Sequence, residues 1–184
     1  ITKSKQFIFS IGHFEKRKNF ENLIKAFTIV KSNGYKGDLI LCTNQGRNFH
    51  KIKKLIIENP YSNNIKLHKN KNDEFVKKLY QSTELFVMPS IYEGFGIPIL
   101  EAARYQKPIL LSNIKVFKEI TLNKSIYFNP HDISDISRKI VYVLQNYKEQ
   151  KRLKNISELV NKKYSGEKII KKFSKLIKWQ YISI

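Results

Sequence analysis

The sequence predicts an α/β fold in which a doubly wound parallel sheet of about six strands carries helices on both faces. Short apolar runs alternate along the chain with segments of helical periodicity. The runs are continuous in Ile, Leu, Val and Phe rather than interrupted by polar residues, which is typical of strands that are buried on both faces. A chain in which strands and helices alternate in this way favours parallel strands joined by crossover helices.

The strands and the helices between them are predicted in chain order. The predicted strands are Gln6–Ile11, Asp38–Thr43, Ile65–His68, Glu84–Pro89, Pro108–Ser112 and Ser125–Phe128. Apolar residues recur at intervals of three and four from Phe20 to Val30, from Phe49 to Ile56 and from Phe75 to Tyr80, and these segments are predicted to be helices. Asn72 is the expected N-cap of the third helix, because Asp73 and Glu74 behind it suit the positive end of a helix dipole.

Four more helices are expected. One follows the fourth strand, with Pro98 in its first turn, where the missing N–H of proline costs nothing. The other three are the helical stretches Ile133–Asn146, Lys148–Lys163 and Glu167–Trp179. The sequence contains no internal repeat, low-complexity tract or linker, so residues 1–184 are expected to form one domain.

The chain is strongly basic, with a formal net charge of +20 at pH 7. One interpretation is an anionic partner, and the other is a compositional bias toward Lys without a function. Most of the 35 basic residues are Lys, whereas a reader of nucleic acid usually relies on the planar fork of Arg. With no RNA-binding aromatic signature or recognition-helix motif, nucleic acid is not an expected partner. An anionic membrane surface is kept as a second expected partner.

The cellular context is predicted from a few features. Cys42, the only cysteine, lies in the apolar run LILC and is expected to be a buried free thiol, which fits a reducing, cytoplasmic compartment. No apolar stretch of the sequence approaches the ~20 residues that span a bilayer. The chain does not begin with Met, and its first residues do not resemble a signal peptide, so we expect a piece of a longer protein. The expected location is cytoplasmic, including the inner face of the cell membrane.

The loop after the first strand is rich in cations. It leaves the strand at Gly12 and enters a helix near Asn19, and Lys16, Arg17 and Lys18 lie just before that helix. Cations and a helix N-terminus both attract an anion, so a diphosphate is the expected ligand, and a solvated basic loop is the alternative. The loop has neither the GxxxxGK[ST] pattern of a P-loop nor the companion glycines of a dinucleotide fingerprint.

The loop after the fourth strand is the most informative segment. Its glycines, Gly94 and Gly96, allow a sharp turn and a close approach of the backbone to a ligand. The amides from Gly94 to Ile97 are expected to form a nest for oxyanions at the start of the next helix. Glu93 precedes this turn and Glu101 lies about one turn into the helix, so they are interpreted as separate acceptors for hydroxyl groups and not as a glycosidase pair.

These segments resemble the retaining glycosyltransferases of family 4, which have the GT-B architecture of two facing Rossmann-like domains. The run from Tyr92 to Ala102 matches the E-x7-E signature of that family, with Glu93 and Glu101 as the two glutamates. The run Gly12 to Asn19, followed by Leu23-Ile24-Lys25-Ala26-Phe27, is similar to the family's diphosphate-binding loop and first helix. The resemblance covers nearly the whole chain, and it covers only the C-terminal, donor-binding domain of the family.

The resemblance implies roles for the residues of both loops. Arg17 and Lys18 would hold the diphosphate of a nucleoside-diphosphate sugar, beside Gly12 and His13. Glu93 and the amides around Phe95 and Gly96 would contact the transferred sugar, with Gly94 and Ile97 in the same turn. Glu101 would hold the ribose hydroxyls. Arg17, Lys18 and Glu93 are the expected catalytic residues, and no metal or other cofactor is expected, since the sequence has no DxD motif and no metal-spaced His/Cys cluster.

Three residues depart from the family's pattern. His13 stands where many members have Arg, Lys69 where a Gly usually follows the third strand, and Gly166 where an aromatic residue often follows Tyr-Ser. By the resemblance, the first change would alter the contacts to phosphate, and the second would alter recognition of the base.

The resemblance implies transfer of a hexosyl group, with retention of anomeric configuration, to a saccharide or lipid-linked acceptor in surface polysaccharide or lipopolysaccharide synthesis. An N-terminal, acceptor-binding domain would complete the enzyme, and the last helix (about 167–180) would pack toward it. The chain alone is then expected to bind nucleotide with little turnover. The alternatives are a GT-B nucleotide-sugar epimerase and a non-catalytic, anion-binding partner module.

Overall fold

The computed structural model describes residues 6–44 and 46–165, which form alternating strands and helices. The strands are β1 (Phe7–Ile11), β2 (Asp38–Thr43), β3 (Ile65–Lys69), β4 (Leu85–Met88), β5 (Ile109–Ser112) and β6 (Ile126–Phe128). The α-helices are α1 (Phe20–Ser32), α2 (Phe49–Ile57), α3 (Asp73–Ser82), α4 (Ile97–Arg104), α5 (Lys115–Ile120), α6 (Ile133–Gln145) and α7 (Tyr147–Lys163). Short 3-10 turns precede α1 and β3.

The six strands form one parallel sheet in the order β3-β2-β1-β4-β5-β6. Helices cover both of its faces, with α1 packed against α2 and α6, and α4 packed against α7. The strand order reverses between β1 and β4, and in such sheets ligands bind outside the carboxyl ends of the strands at this switch point. The predicted fold is therefore confirmed, and the two loops singled out in the sequence both start at the switch point.

The strands form where the continuous apolar runs predict them. All four residues of β4 and all four of β5 are buried, as expected for central strands that are covered on both faces. Phe9 of β1 packs edge-on against Tyr80 of α3 and Phe86 of β4, with ring centroids 5.0 and 5.9 Å apart. Cys42 is a buried free thiol, as predicted.

The helix ends agree with the expected caps. The side chain of Asn72 accepts a hydrogen bond from the amide of Phe75, which confirms it as the N-cap of α3. Helix α5 was not predicted, because six residues hold only two buried apolar positions, Phe117 and Ile120, and give no clear periodicity. The expected helix Glu167–Trp179 lies outside the described residues, and the single-domain organisation of residues 1–184 stays a prediction.

Candidate functional site

The site lies where the β1–α1 and β4–α4 loops meet at the switch point. The amide of Ile91 donates a hydrogen bond to the carbonyl oxygen of Arg17 at 2.7 Å. The side-chain amide of Asn19 donates to the carbonyl oxygens of Pro89 at 3.1 Å and Pro130 at 2.7 Å. Asn19 adopts a left-handed backbone conformation with φ 58°, which Asn tolerates better than most residues. The bonds of Ile91 with Arg17 and of Asn19 with Pro89 join the two loops, and the bond to Pro130 ties Asn19 to the loop after β6.

Arg17, Lys18 and Glu93 come together in one cluster. One carboxylate oxygen of Glu93, Oε2, accepts from Nη1 of Arg17 at 3.0 Å. The other, Oε1, accepts from Nζ of Lys18 and from the hydroxyl of Ser90, the latter at 2.8 Å. Glu93 is only 7% exposed, and a buried carboxylate is stable when its partners are both charged and hydrogen-bonded. The cluster therefore holds two cations in fixed positions beside the turn.

The two cations differ in their access to solvent. The side chain of Lys18 is 11% exposed, whereas that of Arg17 is 42% exposed and also bonds Glu15 at 3.0 Å. Lys16 lines a cavity together with Glu21 and Lys51 and forms no ion pair with Glu93. Of the three basic residues in this loop, two therefore form ion pairs with Glu93 at the switch point.

The turn after Glu93 presents backbone amides beside this cluster. Gly96 has φ +94° and is the N-cap residue of α4, and Pro98 lies in the helix's first turn. No described residue accepts a hydrogen bond from the backbone N–H groups of residues 94–97. The first amides of a helix have no partner within it, and together with the helix dipole they favour an anion. The side chains of Phe95 and Ile97 on this turn are exposed.

Glu101 lies apart from the cluster. It is exposed on α4, and its Oε2 accepts a hydrogen bond from the hydroxyl of Tyr80 at 2.7 Å. The pKa of Tyr80 is raised well above its ordinary value, first by burial and then by the Glu101 carboxylate, so the phenol stays protonated and donates. No described residue donates a hydrogen bond to the second oxygen of Glu101. Among the described residues, Glu93 and Glu101 share no hydrogen-bonding partner, and their interpretation as separate acceptors stays a prediction.

A small pocket opens at the carboxyl ends of β1, β2 and β3. Its volume is about 160 Å³, and Gly12, His13, Cys42, His68 and Lys71 are among the residues that line it. Gly12 is close to the cation cluster, because a Cβ at that position would lie 3.6 Å from Cδ of Lys18. Lys69, one of the departures from the family's pattern, instead places its ammonium 4.9 Å from the ring centroid of Phe49.

Two residues of the site were not identified from the sequence. Ser90 and Tyr80 contact Glu93 and Glu101 respectively, and each holds the carboxylate of its partner in place. Ser90 lies three residues before Glu93, so a turn was a local signal that could have revealed it. Tyr80 is 21 residues away from Glu101 in sequence. The spacing of apolar residues on α3 predicts that Tyr80 is buried, but it does not predict which residue Tyr80 contacts.

The described part of the chain holds neither a metal-binding cluster nor a membrane-spanning helix. In residues 6–44 and 46–165, no group of three or more His, Cys, Asp or Glu is placed to hold a metal ion. Within the same ranges, no helix combines the length and apolar character that crossing a bilayer requires.

Most of the chain is similar in sequence to known glycosyltransferases. The family model described as "Glycosyl transferases group 1" matches residues 1–160. The chain is similar to the serotype-specific mannosyltransferase WbdA of Escherichia coli, at 32% identity over 165 residues, which are 88% of this chain and 20% of that relative. It is also similar to the O-antigen chain mannosyltransferase B of Escherichia coli, at 31% identity over 137 residues, which are 74% of this chain and 36% of the relative. The chain thus spans about a fifth and about a third of these two proteins.

Among solved structures, the chain resembles a mutant of TarM from S. aureus, crystallised in complex with fondaparinux, α-GlcNAc-glycerol and UDP. The TM-score is 0.81 at 22% identity, over 95% of this chain and 36% of that one. At this identity the likeness shows the fold alone.

Proposed function

The chain belongs to the group 1 glycosyltransferase family, and we propose that it is the donor-binding domain of a retaining, family 4 enzyme that transfers a hexosyl group from a nucleoside-diphosphate sugar. The observation that carries this proposal is the cluster in which Glu93 holds Arg17 and Lys18 beside the open amides of residues 94–97. Two fixed cations held next to the residue that precedes a helix N-terminus are suited to a diphosphate.

The proposed chemical role of this site is to stabilise the leaving group. When the bond between the anomeric carbon and the diphosphate oxygen breaks, negative charge builds up on the departing diphosphate. Arg17, Lys18 and the amides of residues 94–97 are already oriented before that charge appears, which lowers the barrier without a reorganisation cost. Charge stabilisation by these groups is the part that a metal ion plays in other transferases, and we propose that no metal is needed.

Glu93 and Glu101 have different parts in this proposal. Glu93 already accepts three hydrogen bonds, and a carboxylate has about four acceptor positions, so it has room for about one sugar hydroxyl. Its main task is then to orient the two cations. Glu101 has one oxygen bonded to Tyr80 and one free, which suits acceptance of a ribose hydroxyl.

The acceptor and the place of the reaction are also part of the proposal. The printed names of the curated relatives describe O-antigen and serotype-specific mannosyltransferases, which supports a mannosyl group, transfer rather than epimerisation, and a saccharide or lipid-linked acceptor in surface polysaccharide synthesis. We propose that a second, N-terminal domain binds this acceptor, and that the reaction takes place in the cytoplasm or at the inner membrane face.

Calorimetric titration tests the donor site. We expect one molecule of a nucleoside diphosphate to bind per chain, and Arg17→Met to weaken that binding at least tenfold. Lys36→Met is the matched control. It removes one exposed positive charge just before β2, at the amino ends of the strands and so at the end of the sheet opposite to the site. If heparin binds as tightly as any nucleotide and both variants weaken binding equally, the basic chain is a general anion-binding module and the proposal is wrong.

A further inference from the structure

The cavity that Lys16 lines is separate from the cation cluster. It lies between the β1–α1 loop and the first turns of α1 and α2, and none of Arg17, Lys18 and Glu93 lines it. Its volume of about 350 Å³ corresponds to about twelve water molecules, and a hexose unit has about the same number of non-hydrogen atoms. The apolar wall of the cavity is formed by Phe14, Phe20, Ile52 and Ile91.

The loops around this cavity are held together by a close backbone contact. The amide of Asn48, at the end of the β2–α2 loop, donates a hydrogen bond to the carbonyl oxygen of Phe14 at 2.8 Å. A Cβ at Gly46 would lie 2.4–2.5 Å from backbone atoms of Phe14, so glycine is needed for the two loops to approach this closely. The ring of Phe14 packs on that of Phe20 with centroids 4.8 Å apart. The walls of the cavity are therefore fixed relative to each other.

The cavity is balanced in charge, although the chain is strongly basic. Lys16 and Lys51 line it together with Glu15 and Glu21, and these four are the charged residues among the described ones that do so. Glu21 forms an ion pair with Lys51 at 2.8 Å, and Glu15 forms one with Arg17 at 3.0 Å. Because two positive and two negative charges line the cavity, it favours a neutral ligand over an anion.

The polar atoms of the cavity have hydrogen-bonding capacity left for a ligand. Both glutamates form their ion pairs through Oε2, and no described residue donates to Oε1 of Glu15 or Glu21. The side chain of Asn22 donates to the carbonyl oxygen of Pro130 at 3.1 Å, and its own oxygen accepts from no described residue. The side chain of Asn48 makes no cap hydrogen bond to α2. Carboxylates and carboxamides beside an apolar wall suit a sugar, which has hydroxyl groups around a ring with C–H faces.

The cavity adjoins the proposed donor site through Arg17. Glu15 lines the cavity and pairs with Arg17, which in turn pairs with Glu93. The amide of Ile91, another residue that lines the cavity, donates to the carbonyl oxygen of Arg17 at 2.7 Å. A saccharide in the cavity therefore lies next to a residue that is proposed to hold the diphosphate.

We propose that this cavity binds one neutral hexose unit of the acceptor saccharide, so that the donor domain itself takes part in recognition of the acceptor. The free oxygens of Glu15 and Glu21 accept hydrogen bonds from sugar hydroxyls, and the carboxamides of Asn22 and Asn48 complete the polar side of the cavity. A C–H face of the sugar ring lies against the apolar wall. The inference rests on the proposed function for the role of the saccharide as acceptor, whereas saccharide binding itself requires no nucleotide.

An NMR titration of the whole chain with neutral saccharides tests this site. The probes are the methyl α-glycosides of mannose, glucose and galactose, and an α-linked mannotriose. We expect at least one of them to shift the amide signals of Glu21 and Lys51, at the cavity, and not that of Gly34, at the amino ends of the strands. Asn48→Ala should weaken this binding about fivefold or more, the size of effect of one lost hydrogen bond. The thermal unfolding midpoint should not change, because the Asn48 side chain makes no cap hydrogen bond.

Asn63→Ala is the matched control, because Asn63 is an exposed asparagine in the turn before β3, away from the cavity. It should leave saccharide binding unchanged, and inorganic phosphate should not displace the saccharide. If no probe shifts the signals of the cavity, if Asn48→Ala binds as the original chain does, or if phosphate displaces the sugar, the inference is wrong while the donor site stands. If a saccharide binds as expected but no nucleoside diphosphate does, the proposed function fails, and with it the acceptor role of the cavity.

Discussion

Lys18 and Glu93 form an ion pair in which the side chains are only 11% and 7% exposed. The pair joins the loop after β1 to the loop after β4, which are separated by 75 residues in the chain. Buried charges are costly unless they are paired and hydrogen-bonded, so this contact is an unusual way to stabilise a fold and a common way to hold a charge in place. The pair is therefore expected to matter for binding as well as for stability.

Lys18→Met should reduce both stability and nucleotide binding. Loss of one partner from a buried pair typically costs ~3–5 kcal/mol, and we expect about 2 kcal/mol in urea unfolding, because Arg17 and Ser90 still contact Glu93. The double variant Lys18→Met/Glu93→Gln should recover part of the unfolding free energy, since no unpaired carboxylate remains. It should not recover binding. A double variant that binds nucleotide normally would show that the pair has only a structural part.

Gly96→Ala should be destabilising where Gly94→Ala is not. Gly96 has φ +94°, and a Cβ there would lie 3.1–3.3 Å from side-chain atoms of Ile99, Ile120 and Phe117. We expect a loss of about 1–3 kcal/mol in the free energy of unfolding, with weaker diphosphate binding because the amides of the turn move. A Cβ on Gly94 meets no atom within 4 Å, so that variant should change stability by less than about 0.5 kcal/mol. Equal effects of the two substitutions would contradict this account of the turn.

Tyr80→Phe should weaken nucleotide binding modestly. The variant removes the hydrogen bond that orients Glu101, which is worth about a twofold to tenfold change in the dissociation constant. Inorganic diphosphate, which has no ribose, should bind the variant as it binds the original chain. Tyr105→Phe is the control, because the ring of Tyr105 stacks on Tyr80 with centroids 6.0 Å apart but does not contact Glu101 through a hydrogen bond. An equal effect of the two substitutions would assign the change to packing.

The free energy of unfolding should decrease as the pH is lowered, because of the titration of His68. Its pKa is lower in the folded chain than the ordinary value of about 6.5, so the unfolded chain takes up a proton first as the pH falls. The contribution of His68 is therefore complete above about pH 6.5 and is lost progressively below it. The difference in unfolding free energy between the original chain and His68→Gln should change in this direction between pH 7 and 5. A flat difference would contradict the lowered pKa.

The fold could be predicted because the strands are distinct in the sequence. Central strands such as β4 and β5 are apolar on both faces, so their positions follow from composition without tertiary information. That the loops after β1 and β4 leave the same end of the sheet followed from the same prediction, whereas the contact of Arg17 and Lys18 with Glu93 depends on β1 and β4 being neighbours, which only the structure gives.

The partners of the carboxylates could not be predicted in the same way. That Tyr80 contacts Glu101 depends on how α3 packs beside α4, and periodicity gives the buried face of a helix but not its neighbour. The three donors around Glu93 were not predicted either, and they leave its carboxylate room for about one sugar hydroxyl.

Thermal unfolding with GDP, UDP, dTDP and their sugars, compared between the original chain and Glu101→Ala, tests the central claim most directly. A ligand at about 100 times its dissociation constant should stabilise the fold by roughly 2.7 kcal/mol. The account predicts that at least one nucleotide raises the unfolding midpoint and that Glu101→Ala removes most of that rise. If no nucleotide raises it, or if inorganic diphosphate alone raises it as much, the chain is not a donor-binding domain of the kind proposed.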